Sequence, residues 1–179
     1  NPHHLSVTDS GSIFVFSDQG LWLISPSQDA APIPHWPSAL EASLVNAGPF
    51  SAVTEAATIG EDLYFVDDGK LFVSDGSSVN EVLQNRSGTP ARLEGAQQLT
   101  AATVGSNETL FFFADDAGTS GADMHGLWRY TPATQNEATL VAGVIDSEGN
   151  LPDELTAVGP NREHVYFVRA SAGLQLIRV

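Results

Sequence analysis

The stretch LYFVDDGKLFVSDG, residues 63–76, holds two short apolar runs, each closed by Asp-Gly. Relatives of it recur along the whole chain, and no other feature constrains the fold as strongly. They are LSVTDSGSIFVFSDQGLWLIS at 5–25, SAVTEAATIGEDLYFVDDGKLFVSDG at 51–76, LTAATVGSNETLFFFADDAGTSGADMHGLWRYTP at 99–132 and LTAVGPNREHVYFVRASAGLQLIRV at 155–179. Each begins with a short lead run and a polar turn. An aromatic apolar run follows, then a turn bearing Asp or Gly, then a run opening on Gly-Leu-Trp or something close to it. Trp22, Phe72, Trp128 and Gln175 hold equivalent places, at intervals of about 50 residues, and self-similarity at a fixed period is the mark of a repeat architecture. The runs are short, rich in Val, Ile, Phe and Tyr, and bounded by Gly, Asp, Asn and Ser, so they read as strands joined by tight hairpins. Asp68-Gly69 supplies the backbone freedom for one of those turns.

A fourth strand is expected after each of the first three units, at 30–33 (AAPI), 80–83 (NEVL) and 137–142 (EATLVA). Three to four antiparallel strands per unit is the arithmetic of a propeller blade. A β-sandwich has a similar strand density but gives no reason for the recurring order of lead, aromatic and Gly-Leu-Trp strands. The expected fold is therefore all-β, a β-propeller or propeller-like array of about four blades. It makes one repeat domain over 1–179, with units near 5–50, 51–98, 99–154 and 155–179, the last incomplete. Between units, Ser38-x-x-Glu41 with Leu40, Leu44 and Gly48 fits either a short capped helix or an irregular loop over 38–48. Residues 84–98 and 143–154 read as surface loops.

Composition bounds the function. A chain of 179 residues that is 42% hydrophobic is long enough for a substantial core. Its 22 acids against 7 Lys and Arg give a formal charge of -15, a surface that repels phosphate backbones and anionic lipid. The basic residues are scattered, so no nucleic-acid interface is expected. No apolar run approaches a membrane span. There is no Cys, which excludes disulfides, zinc-thiolate sites and thiol nucleophiles. Strong acidity with a single Lys fits secreted bacterial proteins. The chain opens on Asn1 and Pro2, as a processed product or a piece of something longer would.

The third unit, LFFFADDAGTSGADMHGLWRY at 110–130, resembles the bacterial ELW-type repeat, in which an aromatic strand, Ala-Asp-Asp-Gly and a short turn precede Glu-Leu-Trp and a second strand. LFVSDGSS in the second unit is similar to the Ser-Asp-Gly-Thr that follows that strand. The Glu of the pattern is replaced by Gly20, Lys70, Gly126 and Gly173. The resemblance covers all four units in outline. It implies a propeller-like fold in a large secreted or surface-attached bacterial protein, and it implies no reaction.

Candidate chemistry is sparse. Asp67 and Asp68, and Asp115 and Asp116, follow the aromatic strand in successive units. Such carboxylates suit Ca²⁺, which takes oxygen ligands, but Asp also initiates turns by bonding its own backbone. The dense spacing of a dedicated calcium loop is missing, which favours the turn role. Asp123 and His125 lie in the longest insertion as candidate binding residues. Trp36, between Pro34 and Pro37, is the aromatic most suited to stack on a sugar ring or a peptide, whereas Trp22 and Trp128 are expected to pack in the core. No H-E-x-x-H, G-x-S-x-G or phosphate loop occurs, so no catalytic residue is assigned. The expected function is a non-catalytic extracellular binding or structural module of a larger surface assembly. The alternative is a propeller-type hydrolase or lyase acting on an extracellular polymer through acids gathered in a central cleft. The last unit lacks an outer strand, so its edge at 173–179 is expected to be completed by a protein partner or a second copy, unless Asn1–His4 closes a four-bladed ring.

Overall fold

The computed structural model describes residues 2–26, 40–48, 50–84, 90–116, 125–134, 137–143, 154–159, 162–169 and 173–178. Among them there is no helix; they form fifteen strands in four antiparallel sheets. Strands β1 (Pro2–Val7), β2 (Ile13–Ser17), β3 (Gly20–Pro26) and β4 (Leu40–Asn46) make the first sheet, in that order. The second holds β5 (Val53–Ile59), β6 (Asp62–Asp67), β7 (Lys70–Ser74) and β8 (Val79–Glu81). The third is β9 (Leu93–Val104), β10 (Asn107–Asp116), β11 (His125–Tyr130) and β12 (Thr139–Gly143). The fourth has three strands, β13 (Glu154–Val158), β14 (His164–Arg169) and β15 (Gly173–Arg178). Every sheet is a meander, and in every sheet the aromatic run is the second strand.

Local chemistry explains the meanders. The β6–β7 hairpin turns on Asp68 and Gly69 at φ +50° and +70°, and two successive positive φ values are what a two-residue turn needs to match the twist of its strands. Gly20, which opens β3, has φ +133°, and a Cβ there would sit 2.0 Å from the Asn46 carbonyl oxygen. Only glycine lets β4 approach so closely. The longest strand, β9, is irregular against β10 between the partners of Phe111, Phe113 and Asp115. Gly95 and Gln98 take positive φ on that strand, as bulged strands do.

The chain divides into two compact units. One comprises Asn1–Asp67 and Phe72–Asn80, the other Asp68–Leu71 and Glu81–Val179. The core of the first unit gathers Phe14, Phe16 and Leu21 with Phe50, Leu63 and Phe65. Its rings meet edge to face at 4.8 Å for Phe16–Phe65 and 5.1 Å for Phe50–Phe65, while Phe72 stacks on Phe65 at 5.4 Å. Such geometries add to the burial of the rings. Acceptors also tie this unit together: Ser10 donates through its backbone N–H and its hydroxyl to the Glu61 carboxylate, which holds that carboxyl below its usual range. In the second unit Phe111, Phe113 and Leu127 pack with Leu155, Val165 and Phe167. The Thr100 hydroxyl donates to the Leu155 carbonyl at 2.9 Å.

Three expectations change. Residues 40–46 are strand β4, neither helix nor loop, because Leu40–Asn46 finds a free edge on β3 and pairs along it. The first sheet's fourth strand is therefore 40–46, and 30–33 lies outside the described residues. The supposed loop at 84–98 contains the start of β9 from Leu93, and Gln84 exchanges backbone bonds with Ala91 at 2.9 and 2.8 Å. Trp22 and Trp128 also part company. Trp128 is fully buried and its indole N–H donates to the Ala114 carbonyl at 3.0 Å, whereas Trp22 is only half-buried.

Trp128→Ala is expected to destabilise the fold by about 3–5 kcal/mol, the usual cost of truncating a buried large aromatic. Trp22→Ala should cost less, about 1–2 kcal/mol, because its side chain is only half-buried. Denaturant melts of the two variants check this, and equal midpoints would contradict the burial difference.

Candidate functional site

The turn aspartates hold four different local positions. The Asp67 carboxylate accepts from the Ala52 N–H at 2.9 Å. Asp68 is exposed in the left-handed turn position. Asp116 is buried, and its carboxylate accepts from the buried Gln84 side-chain amide at 2.9 Å. Asp115 is half-buried in β10, in register with Glu94 of β9 and with His125, the first residue of β11. Within the second unit, Gly95 lies between two of these groups. The Ala96 N–H donates to the Gly69 carbonyl at 2.8 Å, and a Cβ on Gly95 would come within 3.5 Å of the Asp115 carboxylate. The Asp68-Gly69 turn and Asp115 thus approach the same glycine. Among the described residues no group of three or more His, Cys, Asp and Glu stands at metal-holding distance. Trp36 and Asp123 lie outside the described residues.

A carboxylate pair that the sequence did not single out lies at the ends of β6 and β7. Asp75 accepts from the Ser77 and Ser78 N–H groups at 2.9 and 2.8 Å and from both hydroxyls. Those donors, the Ser77 N–H foremost, lower its pKa to about 2. Asp62 moves the other way: partial burial raises its pKa, and the Asp75 charge adds to the rise against a bond from the Tyr64 hydroxyl. The signal for Asp75 was present in its Asp-Gly-Ser-Ser context, which matches a side chain capping its own turn. The signal for Asp62 was absent, since its burial comes from tertiary packing.

The first sheet carries a second candidate, on the face opposite its core. Phe14 and Phe16 pair with Leu23 and Leu21 on the core face. The intervening positions align across all four strands: Leu5 opposite Val15, Val15 opposite Trp22, and Trp22 opposite Leu44. A parallel row runs from Val7 through Ile13 and Ile24 to Ala42. Neither row contains an ionisable side chain. Leu5, Val7 and Leu44 are 59%, 52% and 45% exposed, and Val15 and Trp22 are half-buried. The signal for this face was the unbroken apolar runs IFVF and LWLI, which suit strands buried on both sides.

Burial in the other sheets sets this face apart. Leu63, Tyr64, Phe65 and Val66 of β6 are all buried, as are the five residues from Leu110 to Ala114 of β10. Both faces of those second strands are therefore covered, whereas β2 buries only Phe14 and Phe16. Compared with known proteins, the chain matches no family model and no curated protein. Among the described residues no helix is long and apolar enough to cross a membrane.

The carboxylate pair generates a pH prediction. Asp75, with a folded pKa of about 2 against an ordinary 3.8, contributes stability that is complete above the ordinary value and lost as pH falls through the folded one. Asp62, shifted upward, contributes in the opposite sense: its share is present at low pH and lost as pH rises through its folded value. Carboxyl-carbon NMR titration should show the two midpoints on opposite sides of the ordinary value. Asp75→Asn should lower that of Asp62, and an unmoved Asp62 midpoint would contradict the coupling.

Proposed function

We propose that this chain is a non-catalytic module of an extracellular or cell-surface assembly, built as a propeller-like array of antiparallel sheets, that acts by presenting surfaces to other macromolecules. One observation carries the reading: in a chain of formal charge -15, two aligned apolar rows without an ionisable residue cross a four-stranded sheet and are exposed at Leu5, Val7 and Leu44. The largest contiguous apolar patch on a domain surface is often functional.

The propeller-like arrangement is supported by four successive meanders with the aromatic run second in each. The acidic composition and the likeness to ELW-type repeats support a secreted bacterial origin. An enzyme of the propeller type would use two carboxylates converging in a buried cleft. Here Asp116 is engaged by Gln84, Asp67 by the Ala52 backbone, and Asp68 is exposed at a turn. These engagements support structural work for the turn aspartates.

The purified chain is expected to release neither reducing ends nor unsaturated products from extracellular polysaccharides and to leave peptides uncut. Turnover that disappears in Asp115→Asn would replace the module by an enzyme. Calcium or a chelator should move the melting temperature by less than about 2 °C, since a ligand bound only to the folded state raises it. A larger rise, lost in Asp67→Asn or Asp115→Asn, would assign those residues to Ca²⁺.

A further inference from the structure

We propose that Asp68-Gly69 is a site of spontaneous backbone modification, at which the turn closes to a succinimide and reopens as isoaspartate, while the chemically identical Asp75-Gly76 is protected by its surroundings. The sequence holds these two Asp-Gly dipeptides and no Asn-Gly. Asp-Gly is the least hindered setting for this reaction, because glycine carries no Cβ to block the approach of its nitrogen. The step balances with water as its only co-reactant. The Gly69 amide nitrogen forms a bond to the side-chain carboxyl carbon of Asp68, and the amide proton leaves with the carboxyl hydroxyl as water. A second water then opens the ring at either carbonyl. Breaking the new bond restores aspartate, whereas breaking the original peptide bond leaves the main chain running through the side-chain carbon, one methylene longer. No electron changes hands.

Three observations separate the two dipeptides. The first is the electrophile. Asp68 is exposed, and among the described residues no donor reaches its carboxylate, so the group is able to turn toward the next nitrogen. The Asp75 carboxylate accepts from the Ser77 and Ser78 N–H groups at 2.9 and 2.8 Å and from both hydroxyls. Those bonds fix its direction and keep it ionised, the form that gives up an oxygen least readily. The second is the nucleophile. The Gly76 N–H donates to the hydroxyl of buried Ser74 at 3.3 Å. Gly76 also lies so close to Leu23 that a Cβ on it would stand 2.9 Å from the Leu23 Cδ2, and a peptide plane that swings to close a ring there meets packed side chains. The third is the backbone that Asp68-Gly69 serves. Gly69 has φ +70°, and a Cβ on it would stand 3.2 Å from the Gly95 nitrogen, so the turn requires the very residue that makes the dipeptide labile. The Gly69 carbonyl accepts from the Ala96 N–H at 2.8 Å, and an added methylene in this turn pulls that bond apart within the second unit.

The test needs no variant. The folded 179-residue chain is kept in warm, mildly acidic buffer prepared with oxygen-18 water, then digested, and its peptides are read by electron-transfer mass spectrometry, which distinguishes isoaspartate from aspartate. Every passage through the ring leaves one heavy oxygen, whichever way the ring reopens. Label and isoaspartate at position 68 are expected to exceed those at position 75 by about tenfold or more, the effect of one charge-assisted hydrogen bond that must break before the ring closes. In denaturant, where both carboxylates have lost their folded surroundings, the two sites should react within about threefold of each other. Amide exchange at Ala96 should rise in step with the isoaspartate fraction, and a constant rate would overturn the consequence drawn for the second unit. An Asp68 that takes up no heavy oxygen in the folded chain would overturn the proposal. Equal uptake at Asp75, or a preference for Asp68 that persists unchanged in denaturant, would overturn it as well. The reaction is independent of what the module binds, which polymer turnover and the calcium melts address separately.

Discussion

Burial of the second strand of each sheet is the constraint on which the rest of this structure depends. A strand reading IFVF, LYFV or LFFF sets apolar side chains on both faces, and each face needs a covering layer. Where both layers are present, as around β6 and β10, the strand disappears from solvent altogether. The neighbouring strands pair along it, with bulges on β1, β5 and β9, and the aromatic contacts of Phe65 with Phe16, Phe50 and Phe72 follow from its side-chain alternation. The meander is a consequence of the same constraint. Short turns keep consecutive strands adjacent, which builds each sheet from local contacts.

The acids do a different kind of work. Several of the described ones stand at the ends of strands, where a carboxylate can accept from the backbone N–H groups that a turn leaves without partners in the ladder. Asp75 is the clearest case, taking both Ser77 and Ser78. Asp67 serves the segment before β5, and Asp116 secures the buried amide of Gln84, whose backbone bridges Ala91 and Ala138. Asp67, Asp75 and Asp116 are thus each held by donors where they stand, which offsets part of the cost of placing their charge in the fold.

Trp22 and Trp128 show how one repeated position serves two purposes. Both follow Gly-Leu at the start of a third strand, and both pair with the middle of an aromatic strand, Val15 in one sheet and Phe112 in the other. In the third sheet the indole is enclosed and its N–H finds the Ala114 carbonyl. In the first it lies on a face whose edges, Leu5 and Leu44, are open to water. The same side chain that closes a core in one place stays half-buried on an outer sheet face in the other.

Much of the architecture was legible in the order of residues alone. Short unbroken apolar runs, Asp-Gly turns and the recurrence of Gly-Leu-Trp determined strands, hairpins and the meander order, because these depend on backbone freedom and side-chain direction within a few residues. The turn role of Asp75 was legible for the same reason. What tertiary structure decided was everything set by a neighbour distant in sequence. Leu40–Asn46 resembles a capped helix until β3 offers it an edge, and Gly20 is a needed glycine only because the Asn46 carbonyl comes so close. Gly95 became a meeting point of a turn and a carboxylate only when β9 was laid beside the Asp68-Gly69 turn within the second unit. The exposed face was beyond reach for the same physical reason: a sequence shows that a strand has two apolar sides, but solvent exposure is decided by which sides other layers cover.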